Sequence, residues 1–168
     1  VKDLRLTFAN GHEIKYPDIQ VKPGEKVLLT GANGTGKSTL FKLLVGEAAA
    51  SGGQISFFDQ AGKKVKPDRT KIGYLPQQAV LLPSSVINNI TMFDPELESK
   101  VKASAADAQL SEAVDSWPQG LETPVDLAGD NLSGGQKQKV VLARVEVRDS
   151  QLLLVDEGTS AIDQAAGR

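Results

Sequence analysis

The sequence has no cysteine and a single histidine. The first absence excludes a disulfide scaffold, a thiolate metal site and a cysteine nucleophile. The second excludes a multi-histidine metal centre, because His12 stands alone. No apolar run approaches the length of a membrane span and no signal peptide opens the chain, so this piece is expected to be soluble. Neither sign of charge is in excess: 19 Lys and Arg against 21 Asp and Glu leave a net −2. Bulk electrostatic capture of nucleic acid or of an acidic membrane is therefore not expected. What remains is ordinary globular composition, 40% apolar and 24% charged, with ample material for a core. The 168 residues suit about one domain. Glycine alone is in excess, at 16 residues, and its placement carries the reading.

Strand, loop and helix alternate at both ends of the chain. Leu4, Leu6 and Phe8 can share one strand face, and Asn10-Gly11 reads as a hairpin turn. Pro23-Gly24 marks a turn before Val27-Leu28-Leu29, a buried-strand candidate that breaks into the glycine-rich segment from Gly31 to Gly36. A helix with Leu40, Leu43 and Leu44 at helical spacing follows. Ser51-Gly52-Gly53 reads as a turn, Ile55 to Phe58 and Ile72 to Leu75 as strands, and Lys63 to Lys66 as a solvated hairpin tip. From Asp94 to Trp117 the pattern is helical, with Asp94 as cap, Pro95 in the first turn, and Leu97, Val101, Ala105 and Ala108 on one face. Ser133 to about Arg148 is a second long helix, and Gln151 to Val155 a buried strand. The alternation indicates an α/β sheet core with a helical insertion near residues 79–135.

Gly31-Ala32-Asn33-Gly34-Thr35-Gly36-Lys37-Ser38, continued by Thr39, fits G-x-x-x-x-G-K-[ST] completely. Glycines let the backbone wrap so that successive N–H groups face phosphate oxygens. Lys37 reaches the β- and γ-phosphates, Ser38 offers a hydroxyl to Mg²⁺, and the following helix adds its positive N-terminus. Such a loop indicates a nucleoside triphosphate without saying what is done with it. A second constellation narrows this: Leu152 to Val155 is an apolar strand ending in Asp156-Glu157. Ligands of parallel sheets bind at the carboxyl ends of strands. There Asp156 can hold Mg²⁺ and Glu157 can orient and polarise an attacking water.

Leu132-Ser133-Gly134-Gly135-Gln136 precedes the second long helix, where Ser133 can cap and two glycines leave N–H groups open to an anion. Taken in order, the phosphate loop, Pro76-Gln77, this LSGGQ, the apolar strand with Asp156-Glu157 and Ser160-Ala161-Ile162-Asp163 resemble the nucleotide-binding domain of ABC transporters. The resemblance covers essentially the whole chain. Trp117 to Thr123, followed by Asn131 and LSGGQ, is similar to the exporter class.

The resemblance implies a P-loop NTPase (RecA-like) α/β core with an N-terminal antiparallel β subdomain and an inserted α-helical signature subdomain at about residues 79–148. It implies ATP and Mg²⁺ as cofactors, Glu157 as general base, and Gln77, rather than Gln78, as the glutamine contacting Mg²⁺ and the attacking water. Ser160 to Asp163 match the family's D-loop. Phe8 matches the aromatic residue that stacks on adenine, with Tyr16 as its rival. Ser133, Gly134, Gly135 and Gln136 would act in trans, completing the ATP site of a second nucleotide-binding domain in a head-to-tail homo- or heterodimer. The further partner is a transmembrane domain on the same parent polypeptide, at the cytoplasmic face of a cell membrane; nucleic acid is not a partner. The activity implied is ATP hydrolysis driving transport. A nucleotide-gated dimerisation module and a soluble relative outside transport are the rivals.

Three features depart from the family pattern. A switch histidine is expected after the D-loop, yet His12 lies near the N-terminus and reads as a surface turn residue. The sequence is therefore expected to be an excerpt of a larger protein. Leu127 stands where exporters commonly carry a glutamate, and Glu146 interrupts a usually apolar stretch, which fits a side chain pointing to solvent.

Overall fold

The computed structural model describes residues 1–32 and 34–156, and its chain divides into two compact units, Val1–Arg69 and Thr70 onward. In the first unit β1 (Lys2–Thr7) pairs antiparallel with β2 (Glu13–Lys15) and with β3 (Gly52–Gln54), in the order β2-β1-β3. The Asn10-Gly11 turn forms as predicted. Gly11 N donates to Phe8 O at 2.9 Å, and His12 is an exposed turn residue whose N donates to Asn10 Oδ1 at 3.0 Å. α1 (Lys37–Val45) lays Leu40 and Leu43 against Leu4 of β1, and Leu6, Tyr16, Leu29 and Leu44 pack around them. Gly46 ends the helix in a left-handed conformation, with its N–H returning to Leu43 O at 3.2 Å. A short hairpin of β4 (Phe57–Phe58) and β5 (Lys64–Val65) is closed by Asp59, whose Oδ1 accepts from Ala61 N and Lys63 N.

Three sequence expectations need correction here. Val27-Leu28-Leu29 forms no strand: Leu28 is 85% exposed and no described strand lies beside it to supply a ladder. Ser51-Gly52-Gly53 is not a turn. Gly52 and Gly53 belong to β3, where Gly53 takes φ 78° beside a bulge in β1, and any Cβ would strike the Asp3 carbonyl. Phe8 does not continue the face of Leu4 and Leu6, because β1 ends at Thr7 and Phe8 lies exposed in the turn.

In the second unit β6 (Ile72–Leu75) and β7 (Leu152–Val155) run parallel, with Tyr74 opposite Leu154 and Leu75 opposite Val155. Between them come α2 (Val86–Thr91), a 3-10 stretch (Pro95–Lys100), α3 (Val101–Asp107), α4 (Ser111–Ser116) and α5 (Gly134–Glu146). Asp94 caps as expected, accepting from Glu96 N at 3.1 Å, though the first turn after it is 3-10. The predicted face holds: Val101, Ala105 and Ala108 are buried, with Leu97 against them. Val140, Val141, Ala143 and Val147 of the α5 segment join this core with Leu75, Val86, Ile90 and Leu110, and Trp117 packs on its flank. Glu146 is exposed between buried Val145 and Val147, so the polar interruption costs the core nothing. Gly73 is demanded by packing, since a Cβ would lie 2.6 Å from Val145 Cγ1. Leu153 is half exposed, so β7 is less enclosed than its run of leucines suggests; β6 is its one described neighbour.

Candidate functional site

The phosphate loop belongs to the first unit. Gly34 and Gly36 hold φ of 82° and 93°, values that favour glycine. At Gly36 there is also no room: a Cβ would lie 2.7 Å from Ile14 Cδ1 and 3.0 Å from Tyr16 Oη. α1 starts immediately afterwards with no side-chain cap, so its first N–H groups lack intrahelical partners and can meet an anion. Lys37 Nζ donates to Gly31 O at 2.7 Å and to Ala32 O at 3.0 Å, and Thr35 Oγ1 donates to Ala32 O at 2.9 Å. Lysine and loop therefore form one hydrogen-bonded turn. Ser38 and Thr39 follow in the first turn of α1, with Ser38 exposed. Asn33 lies outside the described residues.

The two aromatic candidates differ in surroundings. The Phe8 ring is exposed and stacks on His12, with centroids 6.0 Å apart and planes at 19°. Tyr16 is half-buried, and its hydroxyl donates to Gly36 O at 3.1 Å, which ties β2's end to the phosphate loop. Burial raises the Tyr16 pKa above its ordinary value. Phe8 is thus the more exposed of the two rings, whereas Tyr16 is engaged in the loop's own support.

Gln77, Asp156 and the LSGGQ segment belong to the second unit. Gln77 is exposed just past β6, and its carbonyl accepts from Gln138 Nε2 of α5 at 3.2 Å. The structure thereby joins Gln77 to the helix that LSGGQ opens. Ser133 caps α5 in a reciprocal box: its Oγ accepts from Gln136 N at 3.2 Å, and Gln136 Oε1 accepts from Ser133 N at 2.9 Å. Gly134 and Gly135 are exposed, neither holds a positive φ, and a Cβ on either would meet nothing within 4 Å. Leu127, in the departing segment, is 82% exposed.

Asp156 is buried at the end of β7. Its N donates to Leu75 O at 2.9 Å, and Tyr74 Oη donates to its Oδ2 at 3.2 Å. Glu157 and the Ser160 to Asp163 segment lie outside the described residues. Among the described residues no group of three or more His, Cys, Asp or Glu side chains could hold a metal ion. Mg²⁺ needs no such cage when it arrives with a nucleotide: it keeps waters and takes phosphate oxygens plus one or two protein ligands. The Ser38 hydroxyl and the Asp156 carboxylate are hard oxygen donors of that kind.

Sequence reasoning missed a polar hub in the second unit. Asn89 is fully buried; its Oδ1 accepts from Leu82 N at 2.8 Å and its Nδ2 donates to Leu82 O and Ser85 O at 2.9 and 3.0 Å. Arg144 of α5 donates to Asn89 O at 2.7 Å and to Val80 O at 3.2 Å, fixing the segment that follows Gln77. Burial, and then the neighbouring Arg148 cation, lower the Arg144 pKa from its ordinary value. The only available signal was Asn89 and Arg144 standing at otherwise apolar helical positions.

An α/β chain with a complete phosphate loop opening a helix, and a parallel strand ending in a buried aspartate, is a P-loop NTPase. The comparisons narrow the class. The ABC transporter family profile matches residues 14–160, and the chain belongs to that family. It is 35% identical over 171 residues to the mitochondrial ATP-dependent permease MDL1 of Saccharomyces cerevisiae, covering 96% of this chain and 25% of that one. It is 36% identical to ATP-binding cassette sub-family B member 6 of Mus musculus, covering 99% and 20%. With the ATP-dependent lipid A-core flippase of Paraburkholderia xenovorans the identity is 36%, covering 95% and 27%. The chain thus spans about a quarter of the length of the curated relatives it matches. Among solved structures, an ATP-bound bacterial Atm1-family ABC exporter superposes with a TM-score of 0.84 at 28% identity, covering 98% of this chain and 30% of that one. No helix among the described residues is long and apolar enough to cross a membrane.

Proposed function

We propose that this chain is the nucleotide-binding domain of an exporter-like ABC transporter, which binds ATP with Mg²⁺, hydrolyses it in a head-to-tail domain dimer and so drives transport. Residues 79–148 or thereabouts form its helical signature subdomain. The observation that carries the reading is the pair Gly134 and Gly135 at the start of α5. Glycine costs a helix up to about 1 kcal/mol relative to alanine. Neither position holds a positive φ or meets any crowding from the described residues. Among the described residues nothing requires either glycine, which supports a role in the close approach of another molecule's group to their N–H donors. An anion is the group a helix start receives, and in this family it is the triphosphate held by the partner's loop.

The roles follow from the chemistry of the residues. Gly31 to Gly36 supply N–H groups to the phosphates, and Lys37 exchanges the carbonyls of Gly31 and Ala32 for phosphate oxygens. Ser38, Gln77 and Asp156 are the residues that would organise Mg²⁺, which when bound would supply charge neutralisation for phosphoryl transfer. Glu157 accepts the proton of the attacking water, and Phe8 stacks on the adenine. The transmembrane partner is supported by relatives named a permease and a flippase and by the exporter-like run before LSGGQ; location at the cytoplasmic face of a membrane is the reading that goes with it. The test is paired. Glu157→Gln should keep ATP affinity and lower hydrolysis by ~10² or more, whereas Lys37→Ala should abolish tight ATP binding. Near-parental turnover in the first variant, or unchanged affinity in the second, would overturn the assignment.

A further inference from the structure

The Asp156 carboxylate is buried, and Tyr74 donates a hydrogen bond to it. β6 and β7 run in parallel register with Tyr74 opposite Leu154. Side chains alternate along a strand, so Leu154 and Asp156 share a face, and residues paired across a sheet share it too. Tyr74, Leu154 and Asp156 thus lie on one face, with Asp156 one diagonal step beyond Tyr74's own partner. A diagonal step of roughly 7–8 Å is within reach of an aromatic side chain and too long for a short one. The tyrosine ring spans it, and Oη lands 3.2 Å from Oδ2. The adjoining backbone is fixed as well, because Asp156 N donates to Leu75 O at 2.9 Å and extends the ladder by one rung. On the opposite face Gly73 lies under Val145 of α5, which anchors the strand that carries the tyrosine.

We propose that Tyr74 is a positioning residue for the metal-binding carboxylate: its hydroxyl engages Oδ2 of Asp156 and so fixes the rotation of the group that would hold Mg²⁺. The proposal rests on the reading of Asp156 as a metal-holding residue. Outer partners that orient a ligating carboxylate are typically worth 10–100-fold in metal affinity. Tyr74 touches neither nucleotide nor metal in this role.

The test is made with the full-length protein and a fluorescent ATP analogue, comparing the parent, Tyr74→Phe and Asp156→Asn. Nucleotide affinity is measured in EDTA and then across a Mg²⁺ titration, with Mn²⁺ binding to the nucleotide-loaded protein followed by electron paramagnetic resonance. Tyr74→Phe keeps the ring and removes only the oxygen. Expected are metal-free nucleotide affinity within about twofold of the parent and a half-saturating Mg²⁺ concentration raised roughly tenfold. If Asp156→Asn loses the metal dependence while Tyr74→Phe keeps the parental half-saturation, positioning by Tyr74 is overturned and the reading of Asp156 stands. If Asp156→Asn keeps the metal dependence, that reading falls and the proposal with it. If Tyr74→Phe weakens metal-free and metal-bound nucleotide equally, its role is structural and the proposal is overturned.

Discussion

Substituting alanine for Gly135 separates what the signature segment does within the chain from what it does outside it. Gly135 sits in the first turn of α5 without a positive φ, exposed, with open space where a Cβ would stand. Within the chain the change should therefore stabilise. Alanine exceeds glycine by about 1 kcal/mol in a helix interior. In the first turn, where fewer hydrogen bonds are fixed, roughly half of that is expected. A domain of 150–250 residues shifts its Tm by about 2–4 °C per kcal/mol, so the rise is about 1–2 °C. Outside the chain the same methyl stands between an N–H donor and the phosphate it is proposed to meet. Removing one preorganised donor from such a site costs on the order of 10² in turnover. The assays are thermal unfolding of the 168-residue chain and Mg²⁺-dependent phosphate release by the full-length protein. Higher stability with unchanged turnover would refute the trans contact. Stability lowered by more than about 1 kcal/mol would refute the claim that the glycine has no role within the chain.

Asn89→Ala should lower unfolding free energy by ~3 kcal/mol. It removes the bonds to Leu82 N, Leu82 O and Ser85 O, each worth about 1 kcal/mol net, and a longer one of 3.3 Å from Arg144 Nη2. The urea midpoint should fall by roughly 1–3 M at typical m-values, and a shift below about 0.3 M would deny the hub its weight. Alkaline titration provides another test. Burial raises the Tyr16 pKa above 10.0, so the folded chain holds this proton more firmly than the unfolded one. The contribution is fully present below pH 10.0 and is lost as pH rises through the folded value. Tyr16→Phe should remove the Tyr16 component from the absorbance change of phenolate formation. A Tyr16 transition at or below pH 10.0 would contradict the burial. For Asp149 the sign reverses: the Lys100 hydrogen bond, then its charge, hold the carboxyl below its ordinary 3.8. Stability from that pair is present above pH 3.8 and lost as pH falls through the lower folded value. Lys100→Met should bring the carboxyl's NMR titration back towards 3.8, and an unmoved midpoint would deny the pair.

What the sequence makes legible here is what is local in the chain. The phosphate loop is readable because its glycines answer to φ at their own positions and its lysine bonds carbonyls five and six residues back. The α5 cap is readable because Ser133 and Gln136 are three residues apart. The partner of Asp156 was not readable, because Tyr74 lies 82 residues away and the contact depends on strand register. The same holds for Asn89 and Arg144, 55 residues apart, which look like flaws in two apolar helix faces until those faces meet. Val27-Leu28-Leu29 failed for the converse reason. Its composition suits a strand, but a strand is a pairing, and composition does not report who the neighbour is.

The two helix starts are not equivalent, and the difference predicts an order of events on the proposed reading. α1 begins after Gly36 with no side-chain cap, and it carries Lys37 at its first position. Its first-turn N–H groups and, on leaving the Gly31 and Ala32 carbonyls, the Lys37 ammonium can all turn to one phosphate chain. At α5 the Gln136 N–H is already taken by Ser133 Oγ, which leaves the N–H groups of Gly134 and Gly135. The nearest cation on that helix, Lys137, is drawn 3.8 Å from Asp130 Oδ1. A triphosphate therefore gains more from α1 than from α5. ATP should settle on a chain's own loop first and capture the partner's α5 second, through the weaker and more readily broken contact. Loss of that contact should then leave nucleotide affinity for the single chain nearly intact while removing closure and turnover. Lys37→Ala and Gly135→Ala should consequently fail in opposite ways, the first in binding and the second after it. A Gly135→Ala protein that lost ATP affinity as severely as Lys37→Ala would show that the division between the helices is wrong.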